Sequence, residues 1–190
     1  MKKALTMDRV VLYDQKRLKL LQRAWLFNWV PFVKKVYIAG SMALGNVHEN
    51  SDFDVIVVAE PGRLYTARSS CLLLFGLMGW RRTLEHPKDG FCFNTFTTKS
   101  TETTSSVEVI KDSGSQLYCS LLSQEMVELD INPLKSLRLV NVVFGYLEPI
   151  LKRWQTLRIE RFLKKFPPHT NSRIIYNDER VELCLNLKKW

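Results

Sequence analysis

Val36-Tyr37-Ile38-Ala39-Gly40-Ser41-Met42-Ala43-Leu44-Gly45, followed by Ser51-Asp52-Phe53-Asp54-Val55-Ile56-Val57-Val58-Ala59, is the stretch that decides the reading of this 190-residue chain. Val36 to Ala39 is a short apolar run stopped by glycine, and Phe53 to Ala59 is a second run with almost no polar face; both read as central strands. A strand that ends in Gly40-Ser41 and turns into a helix start offers backbone N–H groups where an anionic phosphate is favoured. Gly40 lets the backbone come close, and Ser41 adds a hydroxyl donor. Residues i and i+2 of a strand project to one face, so Asp52 and Asp54 present two carboxylates side by side at the N-terminal end of the second strand. Neighbouring anions repel unless a cation sits between them, and oxygen-ligated Mg²⁺, or Mn²⁺ in its place, is the expected occupant.

Gly-Ser before a helix and Asp-x-Asp at a strand start are each common structural punctuation. Their occurrence together, in this order and between two apolar strands, is far more specific. A phosphate cradle beside a two-carboxylate metal site is what nucleotidyl transfer needs, since metals there neutralise phosphate charge and align the attacking hydroxyl with the leaving group.

Working outward, Leu12, Leu18, Leu21, Trp25 and Leu26 predict an amphipathic helix from Asp8 to Trp29 that ends before Pro31. After the break at Pro61-Gly62, Leu64, Ala67, Cys71, Leu74, Phe75 and Met78 keep helical spacing as far as Gly79. Phe91 to Phe96 and Val107 to Ile110 predict a hairpin-like pair of strands. Everything beyond Ser113 reads as helical: one helix capped by Ser113 and running to about Val127, a second from Pro133 to Tyr146, a third from Pro149 to Phe166. Ile174-Ile175-Tyr176 leaves a short strand open as an alternative. The expected division is an α/β half, 1–112, and a helical C-terminal region, 113–190.

Lys and Arg exceed Asp and Glu by 28 − 19 = +9, so the chain attracts polyanions such as RNA, nucleotide phosphates or an acidic partner. Cysteines 71, 92, 119 and 184 are scattered without zinc-ligand spacing, which predicts a reduced, cytoplasmic protein. Cys71 to Trp80, the most apolar window, is about half of the roughly 20 residues a membrane-spanning helix needs, and no membrane segment is expected.

Gly40-Ser41-Met42-Ala43-Leu44-Gly45 with Ser51-Asp52-Phe53-Asp54-Val55 resembles the glycine-serine and Asp-x-Asp signature of the DNA polymerase beta superfamily of nucleotidyltransferases, and is most similar to its small bacterial and archaeal members. The resemblance runs from about Val33 to Val58 and loosens beyond. It implies an α/β (α+β) core, a small mixed sheet flanked by helices, with an added helical region shaping the substrate pocket. It implies that Gly40 and Ser41 hold the β- and γ-phosphates of a nucleoside triphosphate, and that Asp52 and Asp54 bind divalent metal. Gly45, Ser51 and Arg68 complete the candidate nucleotide-binding set; Arg68 stands as a single charge in an apolar stretch of helix.

The chain departs from the family pattern at two places. Leu44 stands where many relatives carry arginine. The family's third acidic residue, often the base for the incoming hydroxyl, lies on a later strand, where Asn94 and Glu108 are the two candidates; Asn94 can hydrogen-bond but cannot take a proton as a carboxylate does. Arg81-Arg82 after the helix and His48 in the motif loop read as surface residues. The expected activity is Mg²⁺-dependent transfer of a nucleoside monophosphate from a triphosphate to an acceptor hydroxyl on a small molecule, protein or RNA. The alternative is a weak or inactive binding module for RNA or a partner protein, antitoxin-like.

Overall fold

The computed structural model describes residues 7–83, 86–99, 127–129, 138–165 and 172–184. Helix α1 (Met7–Ala24) tightens into a 3₁₀ turn, Trp25–Trp29, as the chain approaches Pro31. Strand β1 (Val33–Ile38), the short helix α2 (Gly40–Ala43), β2 (Phe53–Ala59) and α3 (Leu64–Leu77) follow, as the apolar runs and their glycine and proline breaks predict. After β3 (Phe91–Thr97) come β4 (Val127–Glu128), α4 (Arg138–Lys165), β5 (Arg173–Tyr176) and β6 (Arg180–Cys184).

The strands form one six-stranded mixed sheet in the order β4-β1-β2-β3-β6-β5. Among the described strands β2 and β3 make the one parallel pair, and α3 makes the crossover that a parallel pair requires. The helical reading beyond Ser113 is corrected at β4 and β6, while the strand left open at Ile174-Ile175-Tyr176 is present as β5; the three strands complete both sides of the sheet. The antiparallel neighbour of β3 among the described residues is β6, with Thr95 opposite Glu182. Val107 to Ile110, the helix from Ser113 and the division at 112 lie outside the described residues.

Pro149 does not open a helix; α4 runs through it without a break. Contacts on both sides of the proline hold α4 on α3. Glu148 accepts the N–H groups of Tyr65 and Thr66 at 2.8 Å each, capping α3, whose own N-cap residue Arg63 supplies no side-chain cap. Two turns later Gln155, buried, donates to the Tyr65 carbonyl and the Ser69 hydroxyl.

One face of the sheet carries the main core: Phe53, Val55 and Val57 of β2 and Phe91, Phe93 and Phe96 of β3, packed with Phe27 and Phe75 in edge-on and tilted contacts. The alternate residues of β2, from Asp52 and Asp54 through Ile56 and Val58, point to the other face with Tyr37 and Ala39. The buried face of α1 and the turn after it is only partly the one expected: Leu26 is buried and Leu12 packs against the core, but Leu18, Leu21 and Trp25 are exposed, and Leu20, Ala24 and Lys16 are buried. Lys16 is the reason, because its ammonium is needed inside. It donates to the carbonyls of Glu49 and Ser51 and to Asp89, which matches its three donors with three acceptors.

Candidate active site

β1 delivers the chain to the site through Ala39, whose N–H donates to the Asp54 carbonyl at 2.9 Å. Gly40 then adopts φ = 63°, a left-handed conformation that L side chains rarely take. Space makes the same demand: a Cβ on Gly40 would stand 2.2 Å from Asp54 Oδ2. The glycine therefore lets the Gly40-Ser41 backbone lie directly against a site carboxylate. Ser41, at the start of α2, is half-buried, and its carbonyl accepts Asn46 N–H, while Gly45 closes the turn with φ = 66°.

Asp52 and Asp54 project from the N-terminal end of β2 on the same face, as the Asp-x-Asp spacing predicts. Across the parallel pairing, the residue opposite Asp54 is Cys92. The Asp52 and Asp54 carboxylates and the Cys92 sulfur lie within 4.8 Å of one another, a donor cluster able to hold a divalent cation. Burial, and then the Asp52 charge, push the Asp54 carboxyl up to about 6. Burial, and then Asp54, likewise push the Cys92 thiol up to about 12, and the thiol hydrogen-bonds to Asp54. Positive charge reaches this cluster from Arg82, which donates from Nη1 to Asp52 Oδ2 at 2.7 Å and to Cys92 Sγ at 3.4 Å.

The structure thus brings Gly40, Asp52 and Asp54 together and adds Cys92 and Arg82. Ser51 sits just ahead of them; its hydroxyl accepts His48 N–H at 2.9 Å and closes the loop before Asp52. Asn94, half-buried, lies where β3 bulges, so the register sets Cys92 rather than Asn94 opposite Asp54. Glu108 lies outside the described residues. Arg68 is directed elsewhere: its guanidinium donates to Gln155 of α4 at 2.6 Å and lies 6.0 Å from the ring centroid of Phe96, on the core face of the sheet. Burial, and then Arg81 and Arg158, lower the Arg68 guanidinium to about 10. The one signal for Cys92 in the sequence is its place near the start of a predicted strand; that this strand runs parallel to the Asp-x-Asp strand comes from the fold. Arg82 carried no signal beyond its charge.

A family model described as a nucleotidyltransferase domain matches residues 18–141. The chain belongs to the nucleotidyltransferase domain family. The match begins within α1, takes in the site strands and reaches the start of α4. No curated protein matches the chain. Among the described residues no helix is long and apolar enough to cross a membrane.

Proposed function

We propose that this nucleotidyltransferase-family protein transfers a nucleoside monophosphate from a nucleoside triphosphate to an acceptor hydroxyl, with Asp52 and Asp54 holding divalent metal. The observation that carries this reading is the contact between the two halves of the motif: the Gly40 backbone lies so close to Asp54 that not even a methyl group fits between them. A polyphosphate gripped by the Gly40-Ser41 turn would therefore lie beside the carboxylate pair. Mg²⁺ or Mn²⁺, when bound, supplies charge neutralisation for the phosphates and alignment for in-line displacement.

The chain's own residues do the rest. Gly40 and Ser41 orient the β- and γ-phosphates through backbone N–H groups and the Ser41 hydroxyl. Asp52 and Asp54 would hold the divalent cation, whose charge would offset that of the triphosphate beside them. The acceptor hydroxyl gives up its proton to solvent as its oxygen bonds to the α-phosphorus, the bridging bond to the β-phosphate breaks, and pyrophosphate leaves. Arg82, beside Asp52, is positioned to offset negative charge on that side of the site. The acceptor is a hydroxyl of a small molecule, a protein or an RNA end, and free buried thiols at Cys71 and Cys92 support a reducing, cytoplasmic setting. Incubation with α-labelled triphosphates, Mg²⁺ or Mn²⁺ and candidate acceptors tests the proposal. Product formation lost in Asp52→Asn is the expected result, and equal turnover in that variant rejects it.

A second reading has a specific observation behind it: the residue opposite Asp54 is a thiol, where the family resemblance implies a carboxylate base. On this reading the protein is a catalytically weak module that binds RNA or a partner through its excess of +9. Salt-sensitive RNA binding without cation-dependent triphosphate binding would select it over the first.

A further inference from the structure

We infer that Cys92 is a metal ligand, making the Asp52-Asp54-Cys92 cluster a mixed oxygen and sulfur centre that takes thiophilic divalent ions such as Zn²⁺ or Co²⁺ in preference to Mg²⁺. The inference rests on the proposed cation-dependent function and names the class of cation that the same site selects.

Its basis is donor chemistry and placement. Mg²⁺ demands near-octahedral oxygen coordination and sheds water reluctantly, whereas a cysteine sulfur selects softer ions of the zinc type. Here the sulfur is part of the cluster itself, since all three ligand atoms fall within 4.8 Å. Bonds to a tetrahedral ion, about 2.0–2.2 Å from carboxylate oxygen and about 2.3 Å from sulfur, need only small side-chain rotations from that starting point.

A second observation shows a cation already shared between sulfur and carboxylate. Arg82 directs one guanidinium nitrogen at both Asp52 Oδ2 and Cys92 Sγ, so these two atoms face a common position open to positive charge. The Arg82 side chain is 45% exposed, so its guanidinium is not locked in place by packing. The register explains why the sulfur is there: β2 and β3 run parallel with Asp54 opposite Cys92, and Phe91 and Phe93 on either side turn into the core. The cysteine is thus fixed to the carboxylate face by two buried phenylalanines.

The test uses the full chain, stripped by chelator under reducing, oxygen-free conditions and titrated with Co²⁺. Wild-type protein should develop a near-ultraviolet sulfur-to-cobalt charge-transfer band. Cys92→Ser should lose the band and bind Co²⁺ about tenfold or more weakly, while Cys71→Ser, altering a thiol buried in the core, should keep it. Cys92→Asp should bind Co²⁺ without the band and shift preference toward Mg²⁺. Co²⁺ binding by wild type without a band, or a band that persists in Cys92→Ser, overturns the inference. The proposed function survives that result if Mg²⁺-dependent triphosphate binding is present and is lost in Asp54→Asn; if Asp54→Asn changes neither metal nor triphosphate binding, both fall together.

Discussion

Asp54 and Asp89 are two acidic side chains withdrawn from solvent in loops and strand ends of the same sheet, and they are held in opposite ways. Asp89 accepts Lys16 at 2.7 Å and Lys19 at 2.6 Å, and its carbonyl accepts Arg23 at 2.7 Å, so three basic residues of α1 converge on it. Burial works against its ionisation, but the two lysines outweigh it and hold its carboxyl below the usual carboxylate range. Asp54 has another acid, a thiol and a glycine for neighbours, and its carboxyl is raised to about 6. The first arrangement is solved within the protein and stabilises the fold. The second is left unbalanced, and a cation from outside would balance it. The two are joined, because Lys16 also grips the Ser51 carbonyl, one residue before Asp52.

Removing each acid should therefore move stability in opposite directions. Asp89→Ala leaves the ammonium of Lys16, 4% exposed, without its counter-charge, and should lower unfolding free energy by about 3–5 kcal/mol, read by urea denaturation at pH 7. Because the folded value of Asp89 is depressed, its contribution is present above the unfolded carboxyl value and fades as pH falls through the lower folded one. Asp54→Asn should instead stabilise the metal-free protein at pH 7, by on the order of 1–3 kcal/mol, while abolishing cation-dependent triphosphate binding. The sign follows from the raised value: between 3.8 and about 6 the folded state holds the proton more tightly, so wild-type stability falls as pH rises through that window. The gain in Asp54→Asn should accordingly shrink to nothing below about pH 4. A variant destabilised at neutral pH would show that Asp54 is as well compensated as Asp89.

Gly40→Ala probes the same contrast from the turn that follows β1. The left-handed φ of 63° and the close approach to Asp54 Oδ2 both oppose a side chain, and a loss of about 1–3 kcal/mol in thermal or urea unfolding is expected. Triphosphate binding should fall with it, since the turn must draw back from Asp54.

The unbalanced region was legible in the sequence and the balanced one was not, for a physical reason. Gly40, Ser41, Asp52 and Asp54 lie within two adjacent elements, so strand periodicity and a turn residue suffice to bring them to one place. Lys16, Asp89 and Arg23 meet only after the sheet has formed, and a lysine on a basic helix reads as a solvated one. The same limit applies to Cys92, whose role depends on the register of a parallel pair with a bulge between Asp54 and Ile56. It applies to β6 as well, which reaches β3 from the far end of the chain. Arg68 shows the same limit, because an isolated charge in an apolar helix has two explanations, a ligand or a buried polar partner, and the fold gives it Gln155.

Arg82 gives the smallest expected effect and the sharpest test of the contrast. Its guanidinium brings positive charge to Asp52 by direct contact and is half-exposed, whereas Asp89 has its lysines fixed in place. If Arg82 is a replaceable counter-charge, then Arg82→Ala should leave the fold nearly unchanged, because a half-exposed ion pair contributes little. Removing it also removes a competitor for the position between Asp52 and Cys92. Metal affinity in the absence of nucleotide should then rise by up to about fivefold, the equivalent of a surface ion pair of at most about 1 kcal/mol, measured by calorimetric titration with Co²⁺. A fall in affinity would mean that Arg82 holds Asp52 in its ligating rotamer, and the site would then resemble Asp89, prearranged by basic residues of its own.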